Sequence, residues 1–176
     1  RMKRAYTRKR YMEKLDMVRS AIPDVAVTTD IIVGFPGETE ADFEETLSLV
    51  AEARYDAAFM FQYSPRPMTE AADFEGQLPK AVVQDRFDRL VELQAGISLA
   101  QNLDDVGRVE EVIVEGTSKK DPSKLTGRTR TNKLVHFPDD GANEGAFRTV
   151  RVTEAHAHHL EGELAAGRSI DPKQRL

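Results

Sequence analysis

One stretch restricts the fold more than any other: Thr28-Thr29-Asp30-Ile31-Ile32-Val33-Gly34-Phe35-Pro36-Gly37-Glu38-Thr39. Residues 25–33 are a β-branched apolar run broken only by Thr and Asp. The run stops at Gly34, turns through Pro36-Gly37 and restarts as a helix at Thr39. A near-continuous apolar strand that feeds a helix suits a parallel sheet buried on both faces. In such sheets ligands collect at the carboxyl ends of the strands. Gly34 and Gly37 lack a Cβ and leave room for a ligand against the backbone. The same pattern also describes a plain strand-turn-helix corner.

The flanking segments extend the alternation. Thr7 is placed to cap a helix whose Tyr11, Leu15, Val18 and Ile22 share one face, and Pro23-Asp24 ends it. Thr39 with Asp42 reads as a shortened capping box, and Phe43, Leu47 and Val50 give that helix its buried face. Residues 57–63 form a second strand, ending in Ser64-Pro65-Arg66-Pro67. Helix, strand, helix, strand with short turns is a βα repeat of an α/β fold. Residues 68–78 read as a loop. Pro79 opens a long helix carrying Val83, Phe87, Leu90 and Ile97, with Gly96 as its weak point.

Near Asn102 the texture changes. Residues 109–114 alternate and are closed by Gly116; residues 125–137, 147–153 and 160–164 read as further strands separated by Asp-, Pro- and Gly-rich turns. Short strands at regular spacing without helices indicate a small β-barrel. The expected division is therefore an α/β domain at 1–101, an all-β barrel at 102–165 and a mobile tail at 166–176.

Charge separates the halves. The 176-residue chain has net charge −5, yet Lys119, Lys120, Lys124, Arg128, Arg130 and Lys133 crowd one segment with Asp121 as the lone acid. Arg128 and Arg130 fall on one strand face by alternation, with His136 and Phe137 near enough to stack. That is the footprint of RNA binding, or of an ordinary charged hairpin. A second cluster, Arg1, Lys3, Arg4, Arg8, Lys9 and Arg10, opens the chain and suits an anionic ligand or a solvated helix start. His156, His158 and His159 lie together without a carboxylate pattern, so a solvated turn is expected there rather than a metal centre. The chain has no cysteine, which removes disulfides, thiolate metal sites and a Cys nucleophile from these residues. No apolar run reaches the length of a membrane span. In the α/β half, Asp30 is the lone acid of its strand and is expected to be buried. With Gly34, Gln62, Tyr63 and Arg66 it marks a ligand site at the strand ends.

Several motifs carry a resemblance. Met2-Lys3-Arg4 with Tyr6-Thr7, the run from Thr29 to Thr39, and Tyr63-Ser64-Pro65-Arg66-Pro67 closely resemble the later half of radical S-adenosylmethionine methylthiotransferases. The second half resembles their TRAM domain, an RNA-binding β-barrel. Ser118-Lys119-Lys120-Asp121 and Leu125-Thr126-Gly127-Arg128-Thr129 with Asn132 resemble the tRNA-modifying branch more than the ribosomal-protein-modifying one. The resemblance implies part of a TIM-type barrel followed by an OB-like barrel. It implies conversion of N6-isopentenyladenosine in tRNA to its 2-methylthio form, with S-adenosylmethionine and two 4Fe-4S clusters as cofactors. A monomeric, cytoplasmic parent enzyme with tRNA as partner and no membrane association is expected. Within the resemblance, Asp30, Ile32, Gly34, Gln62, Tyr63 and Arg66 fall to the cofactor, Ile32 against its adenine. Lys3 and Arg4 fall to its carboxylate or to RNA phosphate. Lys119, Lys120, Lys124, Arg128, Arg130 and Lys133 fall to RNA.

Two departures stand out. The cluster cysteines of that family are missing and are expected upstream of Arg1, so the chain alone is expected to be inactive and to act as an RNA-binding module. Met68 and Glu70 occupy positions where the family commonly has Gly and Pro.

Overall fold

The hydrophobic pattern produces two separate cores, seen in a computed structural model that describes residues 5–165. The chain divides into two compact units, the first running to Ile97 and the second starting at Ser98. Arg1, Lys3 and Arg4 of the basic cluster and the tail 166–176 lie outside the described residues.

In the first unit, α1 (Arg8–Ala21), β1 (Thr28–Val33), α2 (Glu40–Ala53), β2 (Ala57–Gln62) and α3 (Lys80–Leu103) follow in order, the last residues of α3 belonging to the second unit. β1 and β2 pair in parallel, Thr28 opposite Ala57 through Val33 opposite Gln62. Thr7 caps α1, accepting a hydrogen bond from the Arg10 N–H. Thr39 caps α2 in a full capping box: its hydroxyl accepts the Asp42 N–H at 3.1 Å and its own N–H donates to the Asp42 carboxylate at 2.8 Å. The Thr39 hydroxyl and N–H hold the Asp42 carboxyl below its usual pKa. Val33, Phe43, Val50, Leu90 and Ile97 are buried together.

Several expectations change here. β1 is not buried on both faces. Ile31, Val33 and Met60 turn toward the helices, while Thr28, Asp30, Ile32, Phe59 and Phe61 are exposed on the opposite face. Asp30 is thus an exposed acid, and its alternation partner Ile32 shares that face. In α1, Val18 and Ile22 are exposed; Tyr11, Met12 and Leu15 make the packing face, and Arg19 reaches the Ala53 carbonyl at 2.6 Å. Arg8 is not a free cation, because α2 holds it through Glu45 at 2.7 Å and Glu52 at 2.6 Å. The loop after β2 contains a short 3-10 helix, Glu70–Asp73. α3 runs through Gly96 without a break to Leu103.

The second unit is a closed barrel of β3 (Val109–Thr117), β4 (Lys124–Thr129), β5 (Leu134–Pro138), β6 (Phe147–Ala155) and β7 (Leu160–Leu164), in the order β3-β4-β5-β7-β6. Closure removes exposed strand edges. Val112, Val114, Leu125, Val135, Phe137, Val150, Val152 and Leu160 fill it. A methyl at Gly127 would collide with Val112 and with the Ile113 carbonyl, so this position keeps β3 and β4 in close approach. Gly116 does not close β3; it sits inside the strand where the register with β4 shifts between Val114 and Gly116. The stretch expected as strand over 125–137 is broken, because Thr129 and Asn132 close a turn. Arg130 lies in that turn, so Arg128 and Arg130 do not share a strand face. Phe137 is fully buried and is not a stacking surface, whereas His136 points outward.

Candidate functional site

The turn after β1 is built from its own residues outward. Gly34 and Gly37 both have φ 78°, the left-handed region that favours glycine. The Gly34 N–H donates to the Glu38 carboxylate at 2.9 Å, and Arg86 of α3 donates to the same oxygen at 2.7 Å. Arg86 also reaches the Glu38 carbonyl at 3.1 Å and Glu40 at 3.2 Å, and its guanidinium lies over the Phe43 ring. Glu40 is held below its ordinary pKa by Arg89, then by the second cation Arg86. The absent Cβ of Gly34 has a neighbour that sequence alone does not reveal. A methyl there would lie 2.6 Å from Val83, so the glycine serves helix packing.

Beside this turn is a cavity of about 1070 Å³. Of the residues expected at a cofactor, Asp30, Ile32, Gln62, Tyr63 and Arg66 line it and Gly34 does not. Phe35 and Phe61 add aromatic wall. Gln62 donates to Gln84 at 2.8 Å, and Gln84 donates to Asp88 at 2.7 Å, which fixes the amide at the strand end. Tyr63 packs edge-on against Phe35, with centroids 5.3 Å apart. Its hydroxyl is buried with no hydrogen-bond partner among the described residues. A buried hydroxyl without a partner is costly and marks a place for a polar ligand atom. Deeper in, the Tyr11 and Tyr55 hydroxyls meet at 2.7 Å, and burial pushes the Tyr55 phenol above its usual pKa. A cavity of this size, with apolar wall from Ile32, Phe35 and Phe61 and many polar side chains around it, has room for a nucleoside-sized ligand. Sequence reading missed Arg86, and it named Glu38 and Val83 without their partners. The acid in the turn and the arginine one helix later carry no local pattern that pairs them.

On the barrel, the six expected RNA cations are not equivalent. Lys124 is bound to Glu161 at 2.6 Å, which raises its pKa; Lys133 is bound to Asp105 at 2.6 Å; Arg128 lies 3.3 Å from Glu115. Lys133 is 15% exposed and also donates to the Gln101 carbonyl, within the second unit. Lys119, Lys120 and Arg130 are exposed and make no ion pair among the described residues. They sit in the β3–β4 and β4–β5 loops.

Residues 104–165 match the TRAM domain family, and residues 1–50 match the Radical SAM superfamily. The chain thus matches a radical SAM segment and a TRAM domain in succession. Across both, it is similar to proteins named tRNA-2-methylthio-N(6)-dimethylallyladenosine synthase. The protein of Moorella thermoacetica is 55% identical over 94% of this chain and 37% of its own length. That of Streptomyces coelicolor is 52% identical over 98% of this chain and 35% of its own length. That of Clostridium botulinum is 53% identical over 93% and 36%. The chain therefore spans a little over a third of the curated relatives it matches. No helix among the described residues is long and apolar enough to cross a membrane.

Proposed function

We propose that this chain is the later part of a radical S-adenosylmethionine methylthiotransferase that converts N6-isopentenyladenosine in tRNA to its 2-methylthio derivative. The observation that carries the reading is identity of 52–55% with the synthases above, continuous across the α/β unit and the barrel. S-adenosylmethionine and the 4Fe-4S clusters, when bound, supply the radical chemistry, the sulfur and the methyl group. The chain has no cysteine, so no thiolate of its own ligates iron.

The residues of the cavity fit the nucleoside part of that cofactor. Ile32 and Phe61 offer apolar surface to a base, and the Tyr63 hydroxyl and the Gln62 amide offer edge contacts. Asp30 and Arg66 supply opposite charges for a hydroxyl and a carboxylate. Gly34 acts through the shape of its turn. On the barrel, Lys119, Lys120 and Arg130 meet RNA phosphate directly, while Lys124, Arg128 and Lys133 add charge from within ion pairs. The tRNA-synthase relatives support a cytoplasmic setting for the protein.

The test is chemical. tRNA from cells whose gene is interrupted within this segment should lack 2-methylthio-N6-isopentenyladenosine by mass spectrometry, and an intact copy should restore it. An unchanged nucleoside profile would overturn the reading. A second reading is favoured by the missing cysteines alone: in isolation the chain binds RNA and catalyses nothing. RNA binding without iron–sulfur absorbance after anaerobic reconstitution would show it.

A further inference from the structure

The histidines of the barrel are not scattered. β6 and β7 are joined by a turn over residues 156–159, closed by the His156 N–H donating to the His159 carbonyl at 2.9 Å. This closure lays the two imidazoles face to face, centroids 4.4 Å apart and planes 18° apart. His159 in turn meets His136 of β5 edge-on at 5.2 Å. Thr126 stands opposite His136, and His136 opposite Glu161, so one row crosses three strands on the outer face. The Thr126 hydroxyl lies 3.1 Å from His136 Nδ1 and fixes that ring. Under the row, Leu125, Val135, Phe137 and Leu160 are buried, which gives the imidazoles a rigid floor.

The charged surroundings come from every neighbouring element. β7 contributes Glu161, 3.8 Å from His159 and already bound to Lys124 of β4. β6 contributes Glu154, 3.3 Å from His156. The β3–β4 loop contributes Lys120, close enough to disfavour a proton on His159. His158 is exposed on the turn itself. Burial first, then His156 and His136, hold His159 below the ordinary imidazole pKa, with Glu161 opposing them. The His159 imidazole, held toward its uncharged form, therefore presents an aromatic ring beside a lysine. No group of three among the described residues is arranged to hold a metal ion.

We propose that the His136–His159–His156 stack is a nucleotide-contact site, taking an unpaired RNA base against its imidazole faces and the adjoining phosphate on Lys119 and Lys120. The proposal rests on the RNA-binding reading of the barrel and assigns it a location. Bases stack on aromatic faces without regard to sequence, while phosphate supplies the charge that the lysines and a protonated imidazole answer. A phosphate beside the stack favours protonation of His159, so binding tightens as pH falls through the imidazole range.

The experiment uses the full chain and a short RNA hairpin with an unpaired adenine-containing loop, followed by fluorescence anisotropy from about pH 8 to about pH 5.5, the span of imidazole titration. Wild-type affinity should rise about 10-fold on descending that range, the effect of roughly one unit of pKa change on binding. His159→Phe should keep the affinity seen at the alkaline end and lose the rise, because stacking survives and the proton does not. His156→Ala with His159→Ala should weaken binding about 10-fold even at the alkaline end. His158→Gln should behave as wild type. If both stack variants match wild type while Lys119→Glu with Lys120→Glu abolishes binding, the stack proposal falls and the RNA reading stands. If the wild-type chain does not bind the hairpin at all, both fall.

Discussion

Arg86 Nη1 donates to Glu38 Oε2 at 2.7 Å, with 5% and 12% of the two side chains exposed, and that same carboxylate oxygen accepts the Gly34 N–H. One buried ion pair thus fixes the turn that follows β1 from a helix nearly fifty residues later in the chain. Removing one partner of such a pair leaves the other charge buried and alone, which costs about 3 kcal/mol or more. Arg86→Ala should lose about that much in urea unfolding. Arg86→Lys should fall between, because it keeps the charge but not the fork that reaches both Glu38 and Glu40. An Arg86→Ala midpoint equal to wild type would show that the pair contributes nothing.

Gly34 gives a second prediction. A side chain there meets Val83 and is also forced into left-handed backbone. Gly34→Ala should destabilise by about 2 kcal/mol or more, from overpacking and strain together. Adding Val83→Ala should recover the packing part and leave the backbone part, so the two changes should not sum. Strict additivity in thermal unfolding would rule out the contact.

Much of this is legible in the sequence, and the failures have physical reasons. The caps at Thr7 and Thr39, the two parallel strands and a small β-barrel follow from local pattern, although reading 125–137 as a single strand leaves the barrel one strand short. The exposure of Asp30 does not, because an apolar run cannot say whether its sheet is covered on one face or two. Phe137 is the avoidable error, since alternation with Val135 places it inward and His136 outward. Arg130 reads as strand because little in residues 125–137 announces the Thr129–Asn132 turn. The pairing of Lys133 with Asp105 joins residues 28 apart in the chain, beyond any local signal.

Met68 supplies a third prediction. It is fully exposed at φ 67°, in left-handed backbone, where the resembling family commonly carries glycine. Relief of the Cβ clash is worth about 1–2 kcal/mol, offset by the greater freedom of glycine in the unfolded chain, about 0.5–1 kcal/mol. Met68→Gly should be neutral or slightly stabilising, whereas Met68→Val should destabilise. Calorimetric melting of the two variants checks the order, and a stabilising valine would contradict it.

The histidine stack gives the barrel a pH signature apart from any RNA. His159 takes up a proton more readily unfolded than folded, because burial and its neighbours lower the folded-state pKa. Stability should be full above the ordinary value of 6.5 and should decline as pH falls below it toward the folded-state value. His159→Phe should flatten that decline. A wild-type melting temperature that does not fall between about pH 7 and about pH 5.5 would contradict the assigned environment.

The central claim is that the barrel grips tRNA through cations the fold leaves unpaired, and the salt dependence of binding tests it most directly. Each phosphate that a variant no longer neutralises should reduce the slope of log affinity against log salt by about 0.7–0.9. Charge reversal of Lys119, Lys120 and Arg130 together should abolish most binding and flatten the slope by about 2 or more. An unchanged slope and affinity in that triple variant, measured on a folded chain, would contradict the account.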